Sequence, residues 1–423
     1  MDRWYRIDHA GKLFPGTTNN SNTSIFRVSF LFKELIDPEI LQRALNTVIL
    51  RFPILAVKMK KGLFWDYLEH NDHKLAVKKE VAYPCAPIKP EENNDFLLRV
   101  QYFNNKVSID FFHSITDGTG AIEFFKTLIF EYLKLTGKDV RDDEGVILQP
   151  DTFPDTAESL DSFDSCYETS YADLKEPEAL HIQGTVFSPY GHNVIHGVLS
   201  ASALNSIAKQ SGVTITAYLT ATLITAINTC TLPYNIRKKP ITICIPVNLR
   251  KKFLSKSLRN FFTVINVGIP ASEKMNFTDV LSLVAAQLKE KTEKNYLKKQ
   301  ISGSMKYEKN VLSRFVPLRL KEYAIRYGFE HYGENTKTIM LSNTGRVILP
   351  KSVVPYIEGI EVTAYPTVKS PINCAVGSVN DRLTITFARN IMESEIIREF
   401  FRLLVFQSGL EVRIISNDWG VGS

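Results

Sequence analysis

Phe111-Phe112-His113-Ser114-Ile115-Thr116-Asp117-Gly118 is the stretch on which the reading of this chain turns. On its N-terminal side, Val107–Phe112 is rich in β-formers and is expected to be a strand. A second strand is expected at Leu97–Phe103, because Asn104-Asn105-Lys106 between the two has good turn chemistry. On the C-terminal side, Ala121–Leu135 carries a strong apolar face at helical spacing. His113 therefore stands at the end of a strand, in a short loop that leads into a helix. A general base needs such a mount, since its imidazole must stay within hydrogen-bond reach of the proton it removes. An unperturbed pKa of about 6.5 leaves such a histidine mostly neutral at cellular pH. Asp117 stands across a sharp loop from His113 and is assigned a structural task, pairing with an arginine to lock the loop. Gly118 is assigned the backbone turn that a larger residue would resist. The competing reading, a loop histidine beside an ordinary helix-capping aspartate, is not excluded by these residues alone.

Outward from this centre the pattern is mixed α/β. A strand is expected at Ser24–Phe32. Asp37-Pro38 then opens a helix to Arg51, with Asp as N-cap and Pro at the first helical position. Short strands follow near Leu55–Met59 and Leu63–Leu68. The stretch from Lys138 to Ala179 is acidic, proline-bearing and weakly periodic, which marks a linker. The pattern then restarts: strand Val194–Leu199, helices Ser200–Ser211 and Thr214–Thr229, strands Ile241–Val247 and Phe262–Val267. A long helix is expected from Asn276 to Lys298 and a helical region over Met305–Arg326. Strands recur at Thr338–Ser342, Ile357–Tyr365, Asn373–Val379 and Leu383–Phe387, before a helix at Glu393–Leu404. The expected division is residues 1–178, with the histidine motif and the acidic linker, and residues 179–423.

Composition narrows the function class. The 423 residues carry a formal net charge of +6, with 44% hydrophobic and 23% charged residues. That is ordinary globular composition, and no nucleic-acid-binding motif accompanies the mild basic excess. The five cysteines (Cys85, Cys166, Cys230, Cys244, Cys374) are widely spaced with no C-x-x-C pair, so neither a disulfide framework nor a zinc site is expected. The N-terminus lacks the apolar core of a signal peptide. The most apolar helix-like stretch, Ile215–Leu232, is interrupted by threonines and Asn228 and reads as a buried helix, not a membrane span. A cytoplasmic protein with reduced thiols is the resulting expectation.

Three blocks in order carry a family resemblance: FFHSITDG at Phe111–Gly118, an HxxxDG motif; PVNLR at Pro246–Arg250, followed by RNFF at Arg259–Phe262; and SNTGR at Ser342–Arg346. In these the chain resembles the superfamily of chloramphenicol acetyltransferase, plant-type acyltransferases, peptide-synthetase condensation domains and alcohol acetyltransferases, the last branch being nearest. RFP at Arg51–Pro53 after the first helix adds to it. The resemblance implies an α/β fold with mixed sheets, in two chloramphenicol-acetyltransferase-like subdomains with a tunnel between them. It implies His113 as base, Asp117 as structural partner of Arg250, and Ser342, Asn343 and Gly345 lining the tunnel near a developing oxyanion. Phe112 stands where many condensation domains have a second histidine, and SNTG lacks the aromatics of the plant-type block. Asp418-Trp419-Gly420 resembles that block only superficially and reads as a tail.

The implied reaction moves an acyl group, acetyl in the first instance, from a coenzyme A thioester to an alcohol or amine, with no bound cofactor and no metal. Lys251 and Lys252, with Arg250, Lys256 and Arg259 around them, form a basic run suited to a phosphate-bearing donor, or simply to solvent. An acyl carrier protein is the alternative donor, and a non-catalytic binding module or a thioester hydrolase are the alternative functions. No nucleic-acid partner is expected, and two subdomains in one chain favour a monomer. The paired histidines set nothing against this: His70 and His73 read as a solvated turn. His192 and His196, four apart on a strand, would stand about 13 Å apart, too far for one metal.

Overall fold

A computed structural model describes residues 4–19, 21–168, 176–231, 238–270, 275–309 and 315–417. The tail at Asp418-Trp419-Gly420 lies outside them. In the N-terminal half the order is β1 (Trp4–Arg6), α1 (Leu13–Thr17), β2 (Ile25–Phe32), α2 (Pro38–Arg51), β3 (Val57–Lys61), β4 (Asp66–His70), β5 (Val77–Lys79), β6 (Leu98–Phe103), β7 (Lys106–Phe112) and α3 (Gly118–Leu135). The C-terminal half continues with β8 (Asn193–Ser200), α4 (Ala201–Gln210), α5 (Ile215–Thr231), β9 (Ile241–Asn248), α6 (Arg250–Phe253), β10 (Phe262–Ile269), α7 (Phe277–Lys291), α8 (Lys294–Lys309) and α9 (Leu318–Gly328). Strands β11 (Ile339–Val347), β12 (Ile357–Thr363), β13 (Ile372–Val379) and β14 (Arg382–Arg389), helix α10 (Glu395–Ser408) and strand β15 (Arg413–Ser416) complete it.

Each half is built on a sheet. The N-terminal sheet runs β12-β2-β7-β6-β5, the C-terminal sheet β10-β9-β11-β13-β14-β8-β15, and β1-β4-β3 form a small third one. In β2 the two faces differ as strand alternation requires. Val28, Phe30 and Phe32 enter the first core, under α2 and α3, while Arg27 and Ser29 face the other way, equally buried. Arg27 is matched there by Asp110, with Nε–H donating to Oδ1 at 2.6 Å and Nη2 donating to Oδ2 at 2.9 Å. The second core gathers around α5, whose Leu219, Leu223, Ile224 and Ile227 are fully buried. Among the described residues no single helix is long and apolar enough to cross a membrane. α4 and α5 pass such a test only together, bent by 82°, and α5 is a core helix.

The halves interlock. β12 comes from the C-terminal part of the chain, yet it closes the N-terminal sheet by pairing antiparallel with β2. The division at residue 178 thus separates stretches of chain and not bodies in space. The acidic stretch expected as a linker is packed down on both cores. Val140 and Ile147 enter the first core and Phe163 and Cys166 the second, too irregularly spaced to show as periodicity. Glu158 in the same stretch accepts both Arg51 Nη1 and Nη2, at 2.7 and 2.8 Å.

The helix expected over Asn276–Lys298 is two helices, α7 and α8. Val284 and Leu288 pack on the second core from α7, and Leu297, Ile301 and Met305 from α8. From Leu288 to Leu297 is nine residues, about 900° of helical rotation or a half-turn, so one straight helix would point the two sets in opposite directions. The chain breaks at Thr292, whose hydroxyl donates back to Leu288 O at 2.7 Å. The short elements β1, α1, β5, α6 and β15 have no counterpart in the sequence expectations.

Candidate active site

His113 is held from its backbone upward. β7 ends at Phe112, and the His113 N–H donates to Ser24 O, at the start of β2, at 2.9 Å. The ring is half-buried among three phenylalanines. It stacks on Phe14 of α1 with centroids 4.4 Å apart and planes at 10°. Phe26 lies at 4.7 Å and Phe262 at 5.3 Å. Burial among these rings lowers the His113 pKa, and the negative charge of Asp117 acts against that drop. The net effect favours the neutral imidazole.

Asn260, which is fully buried, faces the ring edge, and the main chain at His113 and Thr116 also hydrogen-bonds the imidazole. The Asn260 Nδ2 group donates to His113 O at 2.9 Å and to Asp8 Oδ2 at 3.1 Å. That turns Asn260 Oδ1 toward the imidazole, where it accepts from Nδ1–H at 3.0 Å. The assignment follows from the hydrogen-bond network, and it leaves the Nε2 lone pair to take a proton.

Asp117 fills both tasks weighed for it. As N-cap of α3, its Oδ1 accepts from Thr119 N and Gly120 N at 3.0 and 3.3 Å. The same carboxylate takes a two-pronged bond from Arg250, with Nη2 to Oδ1 at 3.0 Å and Nη1 to Oδ2 at 2.8 Å. Oδ2 also accepts from Phe261 N at 2.9 Å. Arg250 reaches on to Ser257 O at 2.7 Å and to Arg259 O. Residues 257–261 therefore form a strap tied to the histidine loop at every turn, including Thr116 Oγ1 to Leu258 O at 2.7 Å.

Gly118 does not have the role expected of it. Its φ is not in the left-handed region, and an added Cβ would meet only Thr344 Cγ2, at an ordinary 3.6 Å. It is the first residue of α3, where helical dihedrals suit any side chain. The glycine that the loop requires is Gly120, where a Cβ would overlap Leu258 O and Thr116 Oγ1.

The SNTG segment lies in β11, which approaches the start of α3 through Thr344. Its two polar residues point apart. Ser342 shares the face of Met340, which packs on the first core. Asn343 faces α5, donates from Nδ2 to Thr216 Oγ1 at 3.0 Å, and accepts from Gly345 N at 2.9 Å. Gly345 has φ +74°, and the register against β13 shifts between Asn343 and Arg346. Asn343 thus holds a bulge with its oxygen and with one of its two Nδ2 hydrogens.

The basic run divides as well. Lys251, Lys252 and Lys256 are exposed. Arg250 is consumed by Asp117. Arg259 is buried, with its Nε 3.6 Å from Asp8 and its terminal nitrogens on Ser159 O and Arg6 O. The set-aside histidines stay apart. His192 precedes β8 and its Nδ1–H donates to Pro84 O at 3.0 Å, while His196 Nδ1 lies 3.0 Å from Thr386 Oγ1. Sequence reasoning quoted Asn260 within RNFF without a role for it, and passed over Asp8 and Phe14. A polar Arg259-Asn260 pair directly before Phe261 and Phe262 was the available signal.

No protein-family model matches the sequence, and no curated protein does. Solved structures do. TRI101 of F. graminearum, determined with coenzyme A and deoxynivalenol, is 13% identical with a TM-score of 0.65, over 97% of this chain and 99% of that one. The trichothecene 15-O-acetyltransferase TRI3 of Fusarium sporotrichioides is 12% identical with a TM-score of 0.57, over 96% of each. The first condensation domain of the calcium-dependent antibiotic synthetase is 11% identical with a TM-score of 0.61, over 92% of this chain and 91% of that one. At these identities the likeness concerns fold alone, and it runs nearly end to end: the chain has the mixed α/β fold of these structures.

Proposed function

We propose that this chain is an acyltransferase that moves an acyl group, acetyl in the first instance, from a coenzyme A thioester to an alcohol or amine. The observation that carries the reading is His113: an imidazole whose pKa is lowered by burial and whose Nδ1 lies 3.0 Å from Asn260 Oδ1, with Nε2 assigned as the base. Nε2 takes the proton of the acceptor O–H or N–H, and the freed lone pair attacks the thioester carbonyl. The C–S bond then breaks as the tetrahedral oxyanion collapses, and His113 returns its proton to the departing thiolate. Ser342, on the face of β11 turned toward the N-terminal half, is the hydroxyl assigned to the oxyanion. Lys251 and Lys252 are assigned to the donor's phosphates as surface charges.

The test is thiol release from a panel of acyl-CoAs, with and without a pool of alcohols and amines, comparing wild type with His113→Ala. Acceptor-dependent release absent from His113→Ala is the expected result. Full activity in His113→Ala would sink the proposal. Release without acceptor would make the chain a hydrolase. The fold likeness to a condensation domain favours one second reading, an acyl-carrier-protein donor. Activity with acyl-carrier thioesters and silence with acyl-CoA would select it, and silence with both would favour a binding module.

A further inference from the structure

We propose that Asp8 and Asn260 are positioning residues for His113: the Asp8 carboxylate orients the Asn260 amide, and that amide holds the imidazole in its Nδ1–H form. The inference rests on reading His113 as the base.

The geometry leaves the amide one orientation. Its Nδ2 group faces two acceptors, Asp8 Oδ2 at 3.1 Å and His113 O at 2.9 Å. A flipped amide would place its oxygen against both and its NH2 against His113 Nδ1. The second Asp8 oxygen accepts from Gly11 N at 2.6 Å, two residues before α1. α1 carries Phe14, whose ring lies on the imidazole face. One carboxylate therefore governs the ring's edge, through Asn260, and braces the helix that covers its face.

The ion pair does not account for Asp8. Arg259 is the cation facing it, but at 3.6 Å and with no hydrogen bond to its Nε. Asp161 is a second negative charge nearby, and Asp8 is wholly buried. Burial, with Asp161, pushes the Asp8 carboxyl up to about 6, against Arg259 and the bonds from Gly11 and Asn260. A carboxyl raised above its unfolded value adds stability only at low pH and loses that contribution as pH rises through about 6. At neutral pH the charge is a burden on the fold, and an apolar residue would serve packing better. What the carboxylate does that an apolar residue does not is accept the main-chain N–H groups of Gly11 and Asn260, at 2.6 and 3.3 Å, and with them orient the amide.

The experiment reads the tautomer directly, from ring-nitrogen NMR shifts of isotope-labelled histidine at neutral pH, with His113 assigned by its loss in His113→Gln. Wild type is expected as Nδ1–H. Asp8→Asn sets an amide against an amide, and His113 shifts to Nε2–H or to a mixture. The swap, Asp8→Asn with Asn260→Asp, keeps the charge and restores an acceptor at Nδ1, although it loses the bond to His113 O, so the Nδ1–H form returns at least in part. A packing role for Asp8 would not be rescued by that swap. A wild type in the Nε2–H form, an Asp8→Asn protein that keeps Nδ1–H, or a swap that fails to restore it would each overturn the inference. If Asp8→Asn does not fold, the folded swap decides alone by the same criterion. In acetyl-CoA thiol release, Asp8→Asn should lose on the order of 100-fold or more in kcat, as wrong-tautomer variants of histidine bases do, and the swap should recover part of it. The tautomer readout stands even if the chain proves to transfer no acyl group.

Discussion

Arg250 meets Asp117 with both terminal nitrogens, at 2.8 and 3.0 Å, while its Nε–H is spent on Ser257 O. The guanidinium is thus a planar connector between the cap of α3 and the strap of residues 257–261. Lysine offers a point charge on a flexible stem and cannot make these three bonds in one plane. Removing the cation altogether strands a buried carboxylate. Arg250→Met is expected to lose about 3–5 kcal/mol of stability in urea unfolding. Arg250→Lys should recover part of that stability and little of the thiol-release activity, because the strap also carries Asn260.

The two glycines in the first turn of α3 should respond oppositely. At Gly120 an added methyl meets the main-chain oxygen of Leu258, which the strap holds in place. Gly120→Ala is expected to cost about 1–3 kcal/mol, the usual range for overpacking. At Gly118 there is room, and the backbone is helical. Gly118→Ala should be neutral or stabilising by about 0.4–1 kcal/mol. Thermal melts of the two variants against wild type check both.

Much of this was legible because the residues concerned act locally. Asp37-Pro38 reads as a helix start, and the Asp37 side chain does accept from Glu39 N and Ile40 N. The placement of His113 at a strand end is a matter of adjacent residues, and so was found. The Asp117–Arg250 pair spans 133 positions and was reached only through a family resemblance. What stayed hidden depends on three-dimensional neighbours. Asn260 and Asp8 are 252 positions apart, and nothing in their local patterns links them. The opposite directions of Ser342 and Asn343 were hidden too, because a motif names residues without saying which face of a strand each occupies. The break at Thr292 was visible in principle, in the half-turn phase slip between Leu288 and Leu297.

Phe14 ties the covering helix to the proton chemistry. Burial is the first cause of the lowered His113 pKa, and the Phe14 ring covers one face of the imidazole. Phe14→Ala should admit water and let that pKa rise toward its ordinary value of about 6.5. For a base whose folded pKa lies below its unfolded one, the unfolded chain binds the extra proton, so stability falls as pH drops below about 6.5. Phe14→Ala should weaken that acid-side loss, although it is less stable overall for want of the ring. An NMR titration of His113 gives the sign; a pKa that falls or stays put would show that Phe14 does not shield the imidazole.

Ser342 and Asn343 are neighbours in sequence, and they should fail in different ways. Ser342 lies on the face of β11 that carries Met340 toward the N-terminal half. If its hydroxyl serves the oxyanion, Ser342→Ala should cost about 2.7–4 kcal/mol of transition-state stabilisation, mostly in kcat, with an unchanged melting temperature. Asn343 bonds Thr216 and the Gly345 N–H, and so supports the bulge that brings Thr344 beside Gly118. Asn343→Ala loses both bonds and leaves the Gly345 N–H without its acceptor, a deficit of about 1–3 kcal/mol where such a group is buried. Its melting temperature should fall, with KM and kcat changing together as the bulge relaxes. Steady-state kinetics beside a melt for each variant separates the two, and a large kcat loss in Asn343→Ala at unchanged stability would return the oxyanion role to the amide.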